Sequence, residues 1–122
     1  MHLADQGANV IKVEPPGGDI NRRSRQKVSE NGQFSALFIS TNRGKRSIAL
    51  DLKNPQAMEV FHSLLLKADV LVQNFRPGIT EKLGIGPKDV GRINPRVIYV
   101  SISGVGDDGP YVRKRIYDPM IQ

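Results

Sequence analysis

The chain has 122 residues, 39% of them hydrophobic, and 18 Lys and Arg against 12 Asp and Glu give it a formal charge of +6. That is one domain or part of one, too apolar for intrinsic disorder, and the lack of Cys excludes disulfide frameworks, thiolate zinc sites and cysteine nucleophiles. No apolar run approaches the roughly 20 residues that span a bilayer, and no basic-then-apolar leader opens the chain, so the expectation is a cytoplasmic chain with no membrane partner, whose charge invites either nucleic acid or a phosphorylated small molecule.

Residues 1–7 read as the last turns of a helix closed by Gly7, followed by a short β-rich run over 9–13. Pro-Pro-Gly-Gly and mixed charged and polar residues over 14–32 predict a long surface loop that buries no face. Residues 34–39 are apolar and short, of uncertain type. Residues 47–50 predict a strand, and Pro55 predicts the first position of a helix whose Ala57, Phe61, Leu64, Leu65 and Ala68 form one buried stripe. The nearly continuous apolar run over 69–73 predicts a strand covered on both faces. Short helices over 79–83 and 87–93 then precede the clearest strand, 96–103. The alternation argues for an α/β unit with mostly parallel strands and right-handed crossovers.

The first chemical lure is Gly104-Val-Gly106-Asp-Asp-Gly109, a G-x-G-x-x-G after a strand. Dinucleotide binding needs a helix to begin there, but Pro110 and Tyr111 follow, and Asp107 and Asp108 place negative charge where phosphates would lie. A glycine-rich loop at a strand end is the better reading. Three basic clusters stand out: Arg22, Arg23, Arg25 and Lys27; Arg43, Lys45 and Arg46; and Arg113, Lys114 and Arg115. Each reads either as solvated loop charge or as an anion site. Asn42 to Arg46 and Asn74 to Gly78 favour the second, because Asn, Gly and cations gather there at predicted strand edges. Aromatic residues are scarce and no nucleic-acid motif is present, so a small polyanion is expected rather than nucleic acid. His2 and His62 read as structural, Asp118 as a helix N-cap, and no metal-spaced His pair or nucleophile elbow is found.

Taken together, residues 3–19 (LADQGANVIKVEPPGGD), 42–53 (NRGKRSIALDLK), 68–78 (ADVLVQNFRPG), 94–104 (NPRVIYVSISG) and Tyr117-Asp118 resemble the class III CoA-transferases, the family of formyl-CoA transferase, carnitine CoA-transferase and α-methylacyl-CoA racemase. The resemblance implies a partial Rossmann-like CoA-binding domain, with residues 1–122 an internal part of the N-terminal half of that domain, truncated at both ends and without a complete second domain. It implies CoA or acyl-CoA as substrate, no tightly bound cofactor or metal, a carboxylic acid as second substrate, and an interlocked homodimer of the parent protein.

Carried over by position, the implied CoA contacts are Pro15; Leu50, Asp51, Leu52 and Lys53; Asn74, Phe75 and Arg76; Lys82; and Arg115, Ile116, Tyr117 and Asp118. Some members have Arg where this chain has Pro15, and Arg22 or Arg23 is the expected substitute for that phosphate contact. The nucleophilic Asp of the transferases is expected downstream of Gln122, leaving no catalytic residue within the chain and an inactive fragment. The racemases place a His at the position of Tyr117, and Tyr is a poor proton shuttle near neutral pH, so transfer is favoured over racemisation or lyase chemistry. A small basic nucleic-acid-binding module is the alternative from a different class.

Overall fold

The computed structural model describes residues 1–23, 28, 34–106, 108–112 and 114. Two compact units, Met1–Met58 and Glu59–Gln122, are each built on one pair of parallel strands.

In the first unit a short helix α1 (His2–Asp5) ends at Gly7, whose φ of 94° lets the chain reverse into β1 (Ile11–Glu14). A 3-10 turn (Ile20–Arg23) and helix α2 (Ala36–Asn42) cross over to β2 (Arg46–Ala49). The strands pair in parallel from Ile11 opposite Arg46 to Glu14 opposite Ala49. The ambiguous apolar stretch is helical because Ser35 caps it. Fully buried, Ser35 accepts a bond from the Phe38 N–H at 3.1 Å and donates to the Asn21 carbonyl at 2.5 Å, fastening α2 to the 3-10 turn.

Helix α3 (Pro55–Leu65) starts at the predicted proline, where the Asn54 side chain accepts the Gln56 N–H at 2.9 Å. Of its predicted stripe, Phe61 and Leu65 are buried, while Ala57, Leu64 and Ala68 are half-buried. In the second unit β3 (Val70–Gln73) leads through α4 (Ile79–Lys82) and α5 (Pro87–Ile93) to β4 (Ile98–Ser101), parallel to β3 with Val70 opposite Ile98 and Gln73 opposite Ser101. Its buried apolar residues are Phe61, Leu65, Ile85 and Val90. Buried Asn94 joins its segments: its amide donates to the Leu65 and Ala68 carbonyls at 2.9 and 3.0 Å, and its oxygen accepts the Arg96 N–H at 3.1 Å. The last carbonyls of α3 and of the turn after it thereby gain donors.

Two sequence expectations are corrected. The segment 14–32 is not a loop without a buried face, because Glu14 ends β1 with only 3% of its surface exposed and residues 20–23 form a 3-10 turn around it. Nor is β3 covered on both faces: Val70 and Val72 are about half exposed, beside the still more exposed Ile98 on β4. The apolar run encodes two buried faces, but the described residues cover only one.

Candidate functional site

Parallel strands send all their C-terminal ends to one edge, where ligands collect in α/β sheets. In the first unit that edge carries Pro15, directly after β1, and Leu50, Asp51, Leu52 and Lys53, directly after β2. The two stretches are joined by the Leu50 N–H donating to the Glu14 carbonyl at 2.8 Å. Asp51 accepts the Lys53 N–H at 3.0 Å in an Asx turn. Pro15, Asp51 and Lys53 are exposed, and Leu50 and Leu52 are half-buried.

Glu14 shapes the wall behind Pro15. One carboxylate oxygen accepts the Arg22 Nη2 at 2.8 Å and the Ser47 hydroxyl at 2.5 Å; the other accepts the Arg22 Nε at 2.7 Å and the Asp19 N–H at 2.8 Å. These four bonds fill the acceptor sites of a carboxylate. The Arg22 guanidinium, then Ser47 and the Asp19 N–H, outweigh burial and hold the Glu14 carboxyl at about 2, below its ordinary 4.5. Arg22 also lies 4.0 Å from the centre of the Phe38 ring and 5.5 Å from that of Phe34, stacked between carboxylate and aromatics. Lys12 forms an ion pair with Asp19 and donates to Asn42 at 3.1 Å. Burial pushes the Asp19 carboxyl up, but Lys12 and the Asn21 N–H prevail and lower it.

Of the two arginines expected to stand in for one at position 15, Arg22 is the one whose charge is met by Glu14. Arg23 remains exposed, with one long contact to the Gly17 carbonyl at 3.5 Å. In the Asn42 to Arg46 cluster Arg43 meets a carboxylate, while Lys45 and the exposed Arg46 meet none among the described residues. Arg43 pairs with Asp5 at 2.8 Å, Lys45 donates to Asn42 at 3.1 Å, and the segment precedes β2 rather than following it.

In the second unit Asn74, Phe75 and Arg76 follow β3, at the edge where Ile102 leaves β4 and donates to the Gln73 carbonyl at 2.9 Å. Gln73 orients the segment: its amide donates to Ser101 at 2.8 Å while its oxygen accepts the Phe75 N–H at 2.7 Å. Phe75 is 42% exposed, an uncovered aromatic face beside the exposed Arg76. Gly78, with a φ of 81°, turns the chain into α4, whose last residue is the exposed Lys82. Among the described residues, Lys53, Arg76 and Lys82 have no carboxylate within ion-pair distance, unlike Lys12, Arg22 and Arg43. Two of the implied contact groups thus share an edge in the first unit, and two follow β3 in the second. Arg115, Ile116, Tyr117 and Asp118, with Arg25, Lys27, Arg113 and Asp107, lie outside the described residues.

Around Gly104 and Gly106 the backbone is irregular, and residues 110–112 form turns rather than a helix, as expected without a dinucleotide motif. His62 is half-buried with its ring edge-on to Phe61, and its Nε2 has no hydrogen-bond partner among the described residues. Sequence reasoning missed Glu14 and Asp19. The readable signal was charge balance: two carboxylates, Glu14 and Asp19, bracket Pro-Pro-Gly-Gly, and Lys12 and Arg22 flank them in turn.

The family model for CoA-transferase family III matches residues 1–122. The chain is 45% identical over 121 residues to the acetyl-CoA:oxalate CoA-transferase of Acetobacter aceti, covering 98% of this chain and 30% of that protein. It is 41% identical over 118 residues to the succinyl-CoA:glutarate CoA-transferase of Mus musculus, covering 97% and 27%. A crystal structure of a CAIB/BAIF family protein from Brucella suis superposes with a TM-score of 0.92 at 42% identity, covering 98% of this chain and 32% of that one. The chain therefore spans about 30% of the length of the curated relatives it matches. With the family model matched from the first residue to the last and the backbone shared with a solved member, the chain belongs to CoA-transferase family III.

Proposed function

We propose that the chain is the CoA-binding portion of an acyl-CoA:carboxylate CoA-transferase and forms an internal part of the N-terminal half of its large domain. The observation that carries this reading is the placement of three exposed cations in the segments that follow β2 and β3, unpaired among the described residues as Arg23, Lys45 and Arg46 also are. Lys53, Arg76 and Lys82, the lysines and arginine assigned to CoA within the described residues, are without carboxylate partners there, whereas Lys12, Arg22 and Arg43 are paired. An unpaired cation on a strand-end edge is a ready partner for a pyrophosphate or a 3′-phosphate, and the uncovered Phe75 ring suits an adenine face. The open apolar face of Val70, Val72 and Ile98 supports a chain that packs against further protein.

The chemistry is covalent catalysis by a carboxylate located after Gln122 in the parent protein. The carboxylate attacks the donor thioester carbonyl, expelling CoA thiolate and forming a mixed anhydride. The thiolate attacks the enzyme acyl carbon, releasing the donor acid and leaving an enzyme-bound thioester. The acceptor carboxylate attacks that thioester, and the thiolate freed takes the acceptor acyl group from the second anhydride, restoring the carboxylate. Residues of this chain hold the CoA moiety throughout. Soluble cytoplasmic residence and an interlocked homodimer belong to the same reading.

The test is CoA exchange between two carboxylic acids by the full-length protein that contains these residues, beside the same assay on residues 1–122. Exchange by the first and none by the second is expected. Solvent deuterium entering the α-carbon of an acyl-CoA without exchange would establish racemase chemistry instead. Oligonucleotide affinity with a steep salt slope and no competition by CoA would establish a nucleic-acid module.

A further inference from the structure

We infer that Glu14 is a positioning residue for CoA: through its carboxylate and its carbonyl it holds both strand-end segments of the first unit in the shape that receives the ligand, with Arg22 as its internal counter-ion rather than a phosphate contact. The inference rests on the CoA-transfer reading above. Its ground is the convergence of two sets of bonds on one residue. The Glu14 carbonyl accepts the Leu50 N–H at 2.8 Å, fixing where the Leu50 to Lys53 stretch leaves β2. The Glu14 side chain accepts the Asp19 N–H and both Arg22 donors, folding the segment after Pro15 back over the strand end.

The turn between these anchors is closed by the Gly18 N–H donating to the Pro15 carbonyl at 2.7 Å. Gly18 has a φ of 77°, and a Cβ there would lie 2.9 Å from Arg22 Cδ, so the close approach of Arg22 requires glycine. The remaining contacts are local: Ser47 from β2 completes the carboxylate, Phe38 from α2 stacks on the guanidinium, and Lys12 holds Asp19. Glu14 and Asp19 are thereby each matched by a cation of the chain, Arg22 and Lys12. A bidentate guanidinium stacked on an aromatic ring is also held in one orientation. A phosphate at the Nη1 that Glu14 leaves open would meet a guanidinium whose charge the carboxylate already balances, and one that took Nε and Nη2 would cost the buried Glu14 its counter-ion.

The experiment compares Glu14→Gln, Arg22→Gln and the double variant in the full-length enzyme, using an acyl-CoA and the corresponding acyl-3′-dephospho-CoA. Wild-type saturation by acyl-CoA must be seen first; its absence would sink the transferase reading and not this one. Given saturation, Glu14→Gln is expected to raise KM for acyl-CoA about tenfold with kcat changed less than about twofold, because uniform binding rather than the chemical step is lost. Arg22→Gln should give the same rise, equal for the two esters, and the double variant about the same tenfold, since the pair acts as a unit. If Arg22→Gln weakens acyl-CoA but leaves the dephospho ester untouched, or if the double variant multiplies the two effects to about a hundredfold, Arg22 is a phosphate contact and the inference falls. Should Glu14→Gln fail to fold, Ser47→Ala removes one of the four bonds and is expected to raise KM about threefold with kcat retained; unchanged KM there overturns the proposal.

Discussion

Replacing Glu14 by Gln keeps the side chain's size and removes its charge. The Arg22 guanidinium, about a quarter exposed, then loses its counter-ion, while the Asp19 N–H and the Ser47 hydroxyl face an amide that can accept from fewer of them. The carboxyl is held at about 2 against an ordinary 4.5, a shift that corresponds to about 3 kcal/mol of native-state stabilisation near neutral pH. Because the folded value is depressed, that stabilisation is present above about pH 4.5 and is lost as pH falls through about 2, and about 1.4 kcal/mol of it is already gone at about pH 3.5. Urea unfolding of wild type and Glu14→Gln, compared at these two conditions, subtracts the other carboxylates. The gap between the two proteins should be about 2 to 3 kcal/mol near neutral pH and narrower by about 1 kcal/mol at about pH 3.5. A gap independent of pH, or one below about 0.5 kcal/mol near neutral pH, would refute the claim that the buried carboxylate is ionised and paired.

Two further outcomes are open to measurement. Asn94→Ala strips the Leu65 and Ala68 carbonyls of their donor in a buried setting, and should cost about 2 to 3 kcal/mol in chemical denaturation with no change in the pH dependence. Arg76→Ala removes an exposed cation that has no partner among the described residues, so Tm should hold while KM for acyl-CoA rises about tenfold in the full-length enzyme, an effect that shrinks as salt is raised.

Much of the backbone around the candidate site was legible because it is built of short, locally determined segments. Arg76-Pro-Gly78 marks a chain leaving a strand, Pro55 opens α3 where expected, and the β3 and β4 segments announce themselves by β-branched content. What misled was the polar stretch after β1. Its residues look solvated one at a time, yet Glu14 and Arg22 are partners across eight positions, and no hydrophobic period encodes such a contact. The uncovered face of Val70 and Val72 misled in the opposite sense, since an apolar run reports that a surface is to be buried and not by which segment.

The sequence by itself determined the α/β class, the helices on either side of β3 and family membership, because these depend on local propensity and on motifs that survive as short strings, whereas the helix between β1 and β2 did not show in it. Only the tertiary structure decided which of the cations meet a carboxylate. Lys12, Arg22 and Arg43 are as basic on paper as Lys53, Arg76 and Lys82, but the folded chain gives the first three carboxylate partners, 7, 8 and 38 positions away. A charge's availability depends on what stands within a few ångströms of it, and that distance is set by the folded chain rather than by the order of its residues.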